Sequence, residues 1–346
     1  MTPKTRKQLI QNLFPKEKSF RLKQIETALF QPEIMSWDQL STLPLSMRQT
    51  LIKEISFISV QIEKIFETAD KETFKAILKL DDGQSIESVL MQNKRGHWTV
   101  CVSTQIGCAM GCSFCATGKM GLKRNLNSDE IIDQYRFWQN FLADHAEFDQ
   151  QITNLVYMGM GEPLANYEEV KDSLNRILAN TEIGPTRITV STVGVLPRLQ
   201  QILTDDEWPA VKIAISLHSA DTEIRQSIMR SSYAEFLVDL AKWANEYSEK
   251  FGNRRHHLTF EYIMLRGLND SVTDAKKLAN YATRIGNTKV NLIPYNFTSE
   301  EYTASDADTV DEFLRILTAA GVVATVRRSF GHEIAAACGQ LVVENK

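Results

Sequence analysis

Apolar positions run through this chain in three successive rhythms. Over the first 60 or so residues they recur at helical spacing. FRLKQIETALF, beginning at Phe20, sets Ile25, Leu29 and Phe30 near one face, and WDQLSTLPLSMRQTLIKEI carries an amphipathic run after an interruption at Pro44. The rhythm then shortens to alternation through VQIEKIF, TFKAILKL and SIESVLM, with Asp82-Gly83 as a hairpin turn between the last two. After Trp98, short apolar runs alternate with longer amphipathic segments. WTVCVS, ITNLVYMG, RITVST, VKIAISLH, HLTFEYIML, TKVNLIP and VVATVR read as strands. SDEIIDQYRFWQNFL, YEEVKDSLNRILAN, VLPRLQQIL, FLVDLAKWANEYSEKF, DAKKLANYATRI and ADTVDEFLRILTAAG read as helices. This repetition predicts an α/β fold with a parallel sheet or barrel over residues 94–346, preceded by a helical domain over 1–60 and an antiparallel linking element over 61–93. Polar groups at the ends of parallel strands face the functional mouth of such a fold; here they are Gly161-Glu162, Ser191, Ser216-Leu217-His218 and Asn296.

Composition narrows the setting. The 346 residues, 43% apolar and 24% charged, are those of a soluble globular protein. No run of about 20 apolar residues exists, which excludes a membrane-spanning helix. MTPKTRKQLI has basic residues but no apolar core or cleavage site after them, so a cytoplasmic location is expected. The net charge of −4 argues against a general binder of nucleic-acid backbone, though local basic clusters remain. Four of the five cysteines lie between positions 101 and 115, a clustering that points to metal or redox chemistry rather than a secreted disulfide framework.

Three of those cysteines, Cys108, Cys112 and Cys115, form CAMGCSFC at i, i+4 and i+7. A structural zinc site usually takes four ligands, often as two CxxC pairs, and no second pair lies nearby. Zinc held with help from His97 or Cys101, or three buried cysteines without metal, are the alternatives. A [4Fe–4S] cluster held by three thiolates would leave one iron open for a substrate or cofactor. Gly107, Gly111 and Gly118 allow the tight turns and exposed amides that hold an anionic cluster.

CxxxCxxC with an aromatic before its last cysteine resembles the radical S-adenosylmethionine signature, and Met158-Gly-Met-Gly-Glu-Pro163 resembles the segment that receives the cofactor's amino group. The likeness extends over nearly the whole chain, through FRLKQI, CVSTQIGCAMGCSFCATGKMGLKRNL, MGMGEPLAN, RITVSTVGVLP, AISLHS, YIMLRGLND, VNLIPYN and AACGQL. It resembles the methyltransferases that modify carbon 2 of adenosine in 23S ribosomal RNA and transfer RNA, whose sister group methylates carbon 8 and confers antibiotic resistance.

This resemblance implies a partial (β/α)6 barrel with a small N-terminal helical domain. It implies a [4Fe–4S] cluster on Cys108, Cys112 and Cys115, and S-adenosyl-L-methionine among Gly161, Glu162, Ser191, Ser216, Leu217, His218 and Asn296. The chemistry it implies answers a difficulty, since carbon 2 of adenine is too electron-poor for ordinary polar methyl transfer. Cys338 is first methylated, and a thiolate suits that step. A radical from a second cofactor molecule then removes hydrogen from the methyl group, and the carbon adds to the base. Glu87 accepts the proton from the base, and Cys101 releases the product through a transient disulfide with Cys338. Read without the resemblance, Cys101 and Cys338 are small core residues, Glu87 a solvated strand residue and His218 a satisfied strand-end histidine. The implied partners are 23S ribosomal RNA, transfer RNA and an electron donor such as flavodoxin or ferredoxin, with no membrane and a monomeric chain.

The pattern departs from the family at Arg230-Ser231-Ser232, where a Pro-Ile-Asn element is usual, and at Ala335, often an acidic position. Basic candidates for RNA contact are Lys119–Arg124, Arg254-Arg255-His256-His257 and Arg327-Arg328; each reads equally as a solvated charged face. Methylation at carbon 8, a peptide-modifying radical enzyme and a non-catalytic RNA-binding iron–sulfur protein are the other readings.

Overall fold

The computed structural model describes residues 2–93, 95–149, 151–252, 258–327 and 331–342. Three helices open the chain: α1 (Arg6–Leu13), α2 (Ser19–Leu29) and, starting directly after Pro44, α3 (Leu45–Glu54). Proline suits that helix start, because the first-turn amides have no intrahelical partner. Three antiparallel strands follow, β1 (Val60–Glu67), β2 (Thr73–Leu80) and β3 (Ser85–Gln92). Gly83 turns the second hairpin at φ +79°, a conformation that favours glycine.

These strands do not form a separate sheet. β3 pairs antiparallel with β4 (Trp98–Cys101), and β4 begins a run of parallel strands. The run continues through β7 (Ile152–Tyr157), β8 (Ile188–Thr192), β9 (Lys212–Ser216), β10 (Leu258–Met264), β11 (Thr288–Pro294) and β12 (Val323–Val326), giving the order β1-β2-β3-β4-β7-β8-β9-β10-β11-β12. Two short strands between β4 and β7, β5 (Gln105–Ile106) and β6 (Arg124–Asn125), make a separate hairpin. Helices α4 (Ala116–Lys119) and α5 (Ser128–Ala143) lie between β4 and β7, followed in turn by α6 (Tyr167–Asn180), α7 (Leu196–Thr204), α8 (Thr222–Ile228) with α9 (Phe236–Phe251), α10 (Val272–Ile285) and α11 (Ala307–Ala319). Six helical crossovers thus join seven parallel strands, the parallel α/β arrangement that the alternating pattern predicted and that the resemblance implied as a partial barrel. The short α4 and α8 escape the sequence reading, because one or two turns are too few to reveal a helical period.

Apolar residues from all these parts share one core, with Trp98, Trp138, Trp243, Phe74 and Phe260 among its largest members. A buried ion network ties the N-terminal helices to the barrel. Arg6 Nη2 lies 2.8 Å from Asp133 and 3.2 Å from Asp129, and Arg176 Nη2 reaches Asp129 at 2.8 Å and Glu26 at 3.0 Å. Breaking one member of such a pair leaves an uncompensated buried charge, at a cost of about 3–5 kcal/mol. Among the described residues no helix is long and apolar enough to cross a membrane.

Candidate active site

The loop after β4 gathers its thiols through backbone constraints. The β5–β6 hairpin closes its base, and Cys108 N donates to Gly121 O at 3.1 Å. Gly107 sits there at φ +74°, and a Cβ on it would meet that carbonyl oxygen at 1.8 Å, so no side chain fits. Farther along, Ser113 N donates to Ile228 O at the end of α8, and Ala116 N donates to Gly339 O in the C-terminal tail. Cys108, Cys112 and Cys115 consequently line one cavity of ≈ 150 Å³ together with Gly161, Glu162, Ser191, Ser216, His218 and Cys338. Burial pushes the Cys108 thiol up to about 12 and raises Cys112 and Cys115 as well. Buried thiols of this kind ionise only when a positive centre binds them. The zinc alternative loses its helpers: His97 bonds Asp149 at 3.0 Å, and Cys101 lines a different cavity.

Another part of the wall is the end of β7. Gly161 has φ +104°, and its Cβ would meet Gln105 at 2.6 Å. That close approach lets Glu162 N donate to Gln105 Oε1 at 2.8 Å. The Glu162 carboxylate accepts from Leu164 N at 2.9 Å and Val193 N at 2.8 Å, and burial pushes its pKa up to about 7. Among the described residues no cationic side chain pairs with it. A buried carboxylate held by amides and the Thr192 hydroxyl, with no cation beside it among the described residues, is suited to an ammonium group arriving from outside.

His218 also faces this cavity, in the left-handed region at φ +58°. Its Nδ1 accepts from Ile263 N at 3.1 Å, and burial drives its pKa down to about 3. The ring is therefore neutral with its proton on Nε2, a donor rather than a charged group. Leu217 is fully buried and supports the frame through its amide, which donates to Glu261 O at 3.0 Å.

A second cavity of ≈ 30 Å³ adjoins the first through Cys338, Met158, Ile293 and Arg327, which line both. Cys101 and Asn296 complete its polar lining, and Asn296 Nδ2 donates to Cys338 O at 3.2 Å. Asn296 thus lies against the tail on the side of the second cavity, away from the Glu162 wall. Burial first, and the neighbouring Cys338 second, push Cys101 up to about 12. Glu87 lines neither cavity. It is buried on β3, pairs with Lys75 Nζ at 3.0 Å and accepts from Val342 N at 2.8 Å. Burial raises its pKa against the pull of Lys75.

The surroundings place these features among known proteins. Residues 102–279 match the radical SAM superfamily. A protein from Dictyoglomus turgidum named "Probable dual-specificity RNA methyltransferase RlmN" is 39% identical over 328 residues, covering 94% of this chain and 91% of its own. A relative of the same name from Salinibacter ruber is 40% identical over 324 residues, covering 90% and 85%. The crystal structure of a radical SAM methyltransferase from Sphaerobacter thermophilus superimposes with a TM-score of 0.88 at 34% identity, covering 97% of each chain. The chain belongs to the RlmN family of radical SAM RNA methyltransferases. Members of this family use a [4Fe–4S] cluster and S-adenosylmethionine. The residues present fit both groups: three thiols line one cavity, and a buried carboxylate with no cationic partner among the described residues lines the same space.

Against this RlmN-type frame, several sequence-level expectations change. Cys101 and Cys338 are free thiols, so the implied disulfide is not a standing bond of the structure. Glu87 is neither solvated nor in the cavity, because Lys75 and the tail enclose it. Arg124 is not available to phosphate: it makes a two-pronged pair with Glu130 at 2.8 Å and reaches Asp82 at 2.7 Å. Arg327 is partly buried: it stands between the two cavities, 3.5 Å from Glu261, and the Cys338 beside it raises its pKa. Arg328 and the segment 254–257 lie outside the described residues. Glu261 and Lys75 were missed altogether. Each sits on a strand whose apolar pattern gives no sign of which way it faces.

Proposed function

We propose that this enzyme methylates carbon 2 of adenosine in 23S ribosomal RNA and in transfer RNA, by way of a methyl group carried on Cys338. One observation supports the reading above the others: Cys338 lies in the wall shared by the cysteine-lined cavity and the cavity of Cys101. A carrier at that junction reaches the methyl donor on one side and the resolving thiol on the other. When bound, the cluster and S-adenosylmethionine supply one electron, a methyl group and a hydrogen-abstracting radical.

In this reading Cys108, Cys112 and Cys115 hold the cluster. Glu162 receives the cofactor's ammonium, while Gly161, Ser191, Ser216, Leu217 and His218 shape its berth. Asn296 holds the carbonyl of Cys338 and so orients the carrier rather than the adenosine moiety. Arg327 keeps a positive charge beside the Cys338 sulfur. Glu87 takes the proton from the base; its raised pKa suits a proton acceptor, and the tail must loosen at Val342 for it to reach substrate. Cys101 then bonds to the Cys338 sulfur as the carbon–sulfur link to the RNA breaks. The target adenosine leaves its stack to enter. Exposed Lys119 and Lys123 remain as phosphate contacts, and a flavodoxin- or ferredoxin-type donor supplies electrons in the cytoplasm.

The test is anaerobic reconstitution with methyl-labelled cofactor and RNA, followed by nucleoside and peptide mass spectrometry. Labelled 2-methyladenosine together with methylated Cys338 is the expected result. Label at carbon 8, or in no RNA nucleoside, refutes the assignment.

Glu162→Gln should weaken cofactor binding about 10- to 100-fold, because a charge-assisted hydrogen bond is worth about 1.5–3 kcal/mol. The free enzyme's affinity should also fall as pH drops from about 8 to about 6, since protonation near 7 removes the anion. The glutamine variant should lose that pH dependence. Equilibrium dialysis checks both, and unchanged affinity would remove Glu162 from the cofactor site.

A further inference from the structure

Arg225 on α8 is wholly buried, yet among the described residues no carboxylate meets it. Its Nε donates to Leu217 O at 3.0 Å, and its Nη2 donates to Val193 O at 2.8 Å and Ser216 O at 3.4 Å. Nη1 has no hydrogen-bond partner among the described residues. The guanidinium lies over the Phe236 ring, 3.6 Å from its centroid. A buried guanidinium served only by carbonyls and a ring face is strongly unfavourable unless a negative charge comes near it.

The fold indicates where that charge would be. α8 packs directly on the cysteine loop: its last residue, Ile228, accepts from Ser113 N at 3.0 Å and shares an apolar cluster with Cys112. Two of the three carbonyls that Arg225 holds, those of Val193 and Ser216, belong to residues lining the cysteine cavity. A cluster bound by three thiolates is anionic, and each added electron makes it more so.

We infer that the Arg225 guanidinium is a built-in counter-charge for the iron–sulfur cluster, a positioning residue that raises its reduction potential without touching substrate or cofactor. The inference rests on Cys108, Cys112 and Cys115 being the cluster ligands. Reduction adds one negative charge, and a fixed cation nearby in a low-dielectric setting favours the reduced form. Carbonyl bonds and the Phe236 face hold the cation in place, so its effect does not depend on side-chain fluctuation.

A crossed pair of variants separates charge from scaffolding. Arg225→Lys keeps the charge but loses most of the donors; Arg225→Gln keeps an amide donor but loses the charge. The readout is the cluster midpoint potential, measured by spectroelectrochemical titration with electron paramagnetic resonance on anaerobically reconstituted protein. The glutamine variant should shift the reduction equilibrium about tenfold toward the oxidised form, about 59 mV more negative for a one-electron couple, while the lysine variant stays close to the parent. Equal potentials in all three proteins, or a larger shift in the lysine variant, would overturn the inference. So would failure of both variants to take up the cluster, which would make Arg225 a scaffold residue. A parent protein that assembles no cluster would instead defeat the ligand assignment beneath it.

Discussion

Cys112→Ala should yield a folded protein that no longer cleaves S-adenosylmethionine reductively and methylates no RNA. Cys112 is the middle thiol of the loop and is buried against Ile228 and Met229. Its loss leaves two protein thiolates, Cys108 and Cys115, for a cluster that needs three. The fold should survive, because removing one sulfur atom costs about 1–2 kcal/mol and the main core lies elsewhere. Iron and sulfide content should drop to a small fraction of the parent's, and 5′-deoxyadenosine should be undetectable by chromatography. Parent-like iron content with normal cleavage would mean that these cysteines do not hold the cluster.

The second large effect is a trapped intermediate. Cys101→Ala should still assemble the cluster and load Cys338, since Cys101 lines only the second cavity. Product release should stop, leaving RNA covalently attached to Cys338. The physical reason is proximity: in a cavity of ≈ 30 Å³ the Cys101 sulfur is the neighbouring nucleophile that can bond to Cys338. A denaturing gel with labelled RNA should show a protein–RNA band, and digestion should map it to the Cys338 peptide. Full turnover without a retained adduct would return Cys101 to an ordinary core position on β4.

Both experiments use residues the sequence singled out, but for different reasons. The cluster loop was legible because its chemistry is local. Three thiols within eight residues must be near one another whatever the rest of the chain does. Gly107 and Gly161 were readable in the same way, and their contacts explain them: a Cβ at either would strike backbone or side-chain atoms of the adjoining turn. Cys338 and Glu87 entered only through family resemblance. Nothing in AAACGQL or SIESVLM distinguishes a carrier or a base from a small core residue or a solvated strand residue.

Burial explains the misreadings. Arg124 and Arg327 looked like phosphate-binding surface because arginine is usually exposed, yet one is held by Glu130 and Asp82 and the other stands beside Glu261 and Cys338. Arg225 drew no notice, since a short helix between two strands gives no pattern from which to infer its orientation.

By itself, then, the sequence determined the alternation of strands and helices, the three-thiol loop and the acidic end of β7, because hydrophobic period, turn chemistry and covalent spacing act over a few residues. The tertiary structure alone decided that Cys338 meets Cys101 across more than 200 residues of chain, that Lys75 and the tail enclose Glu87, and that an unpaired guanidinium lies behind the cysteine loop. Those facts depend on which faces of distant elements are packed together and on the charge left behind when water is excluded. Neither is written in any local stretch of residues.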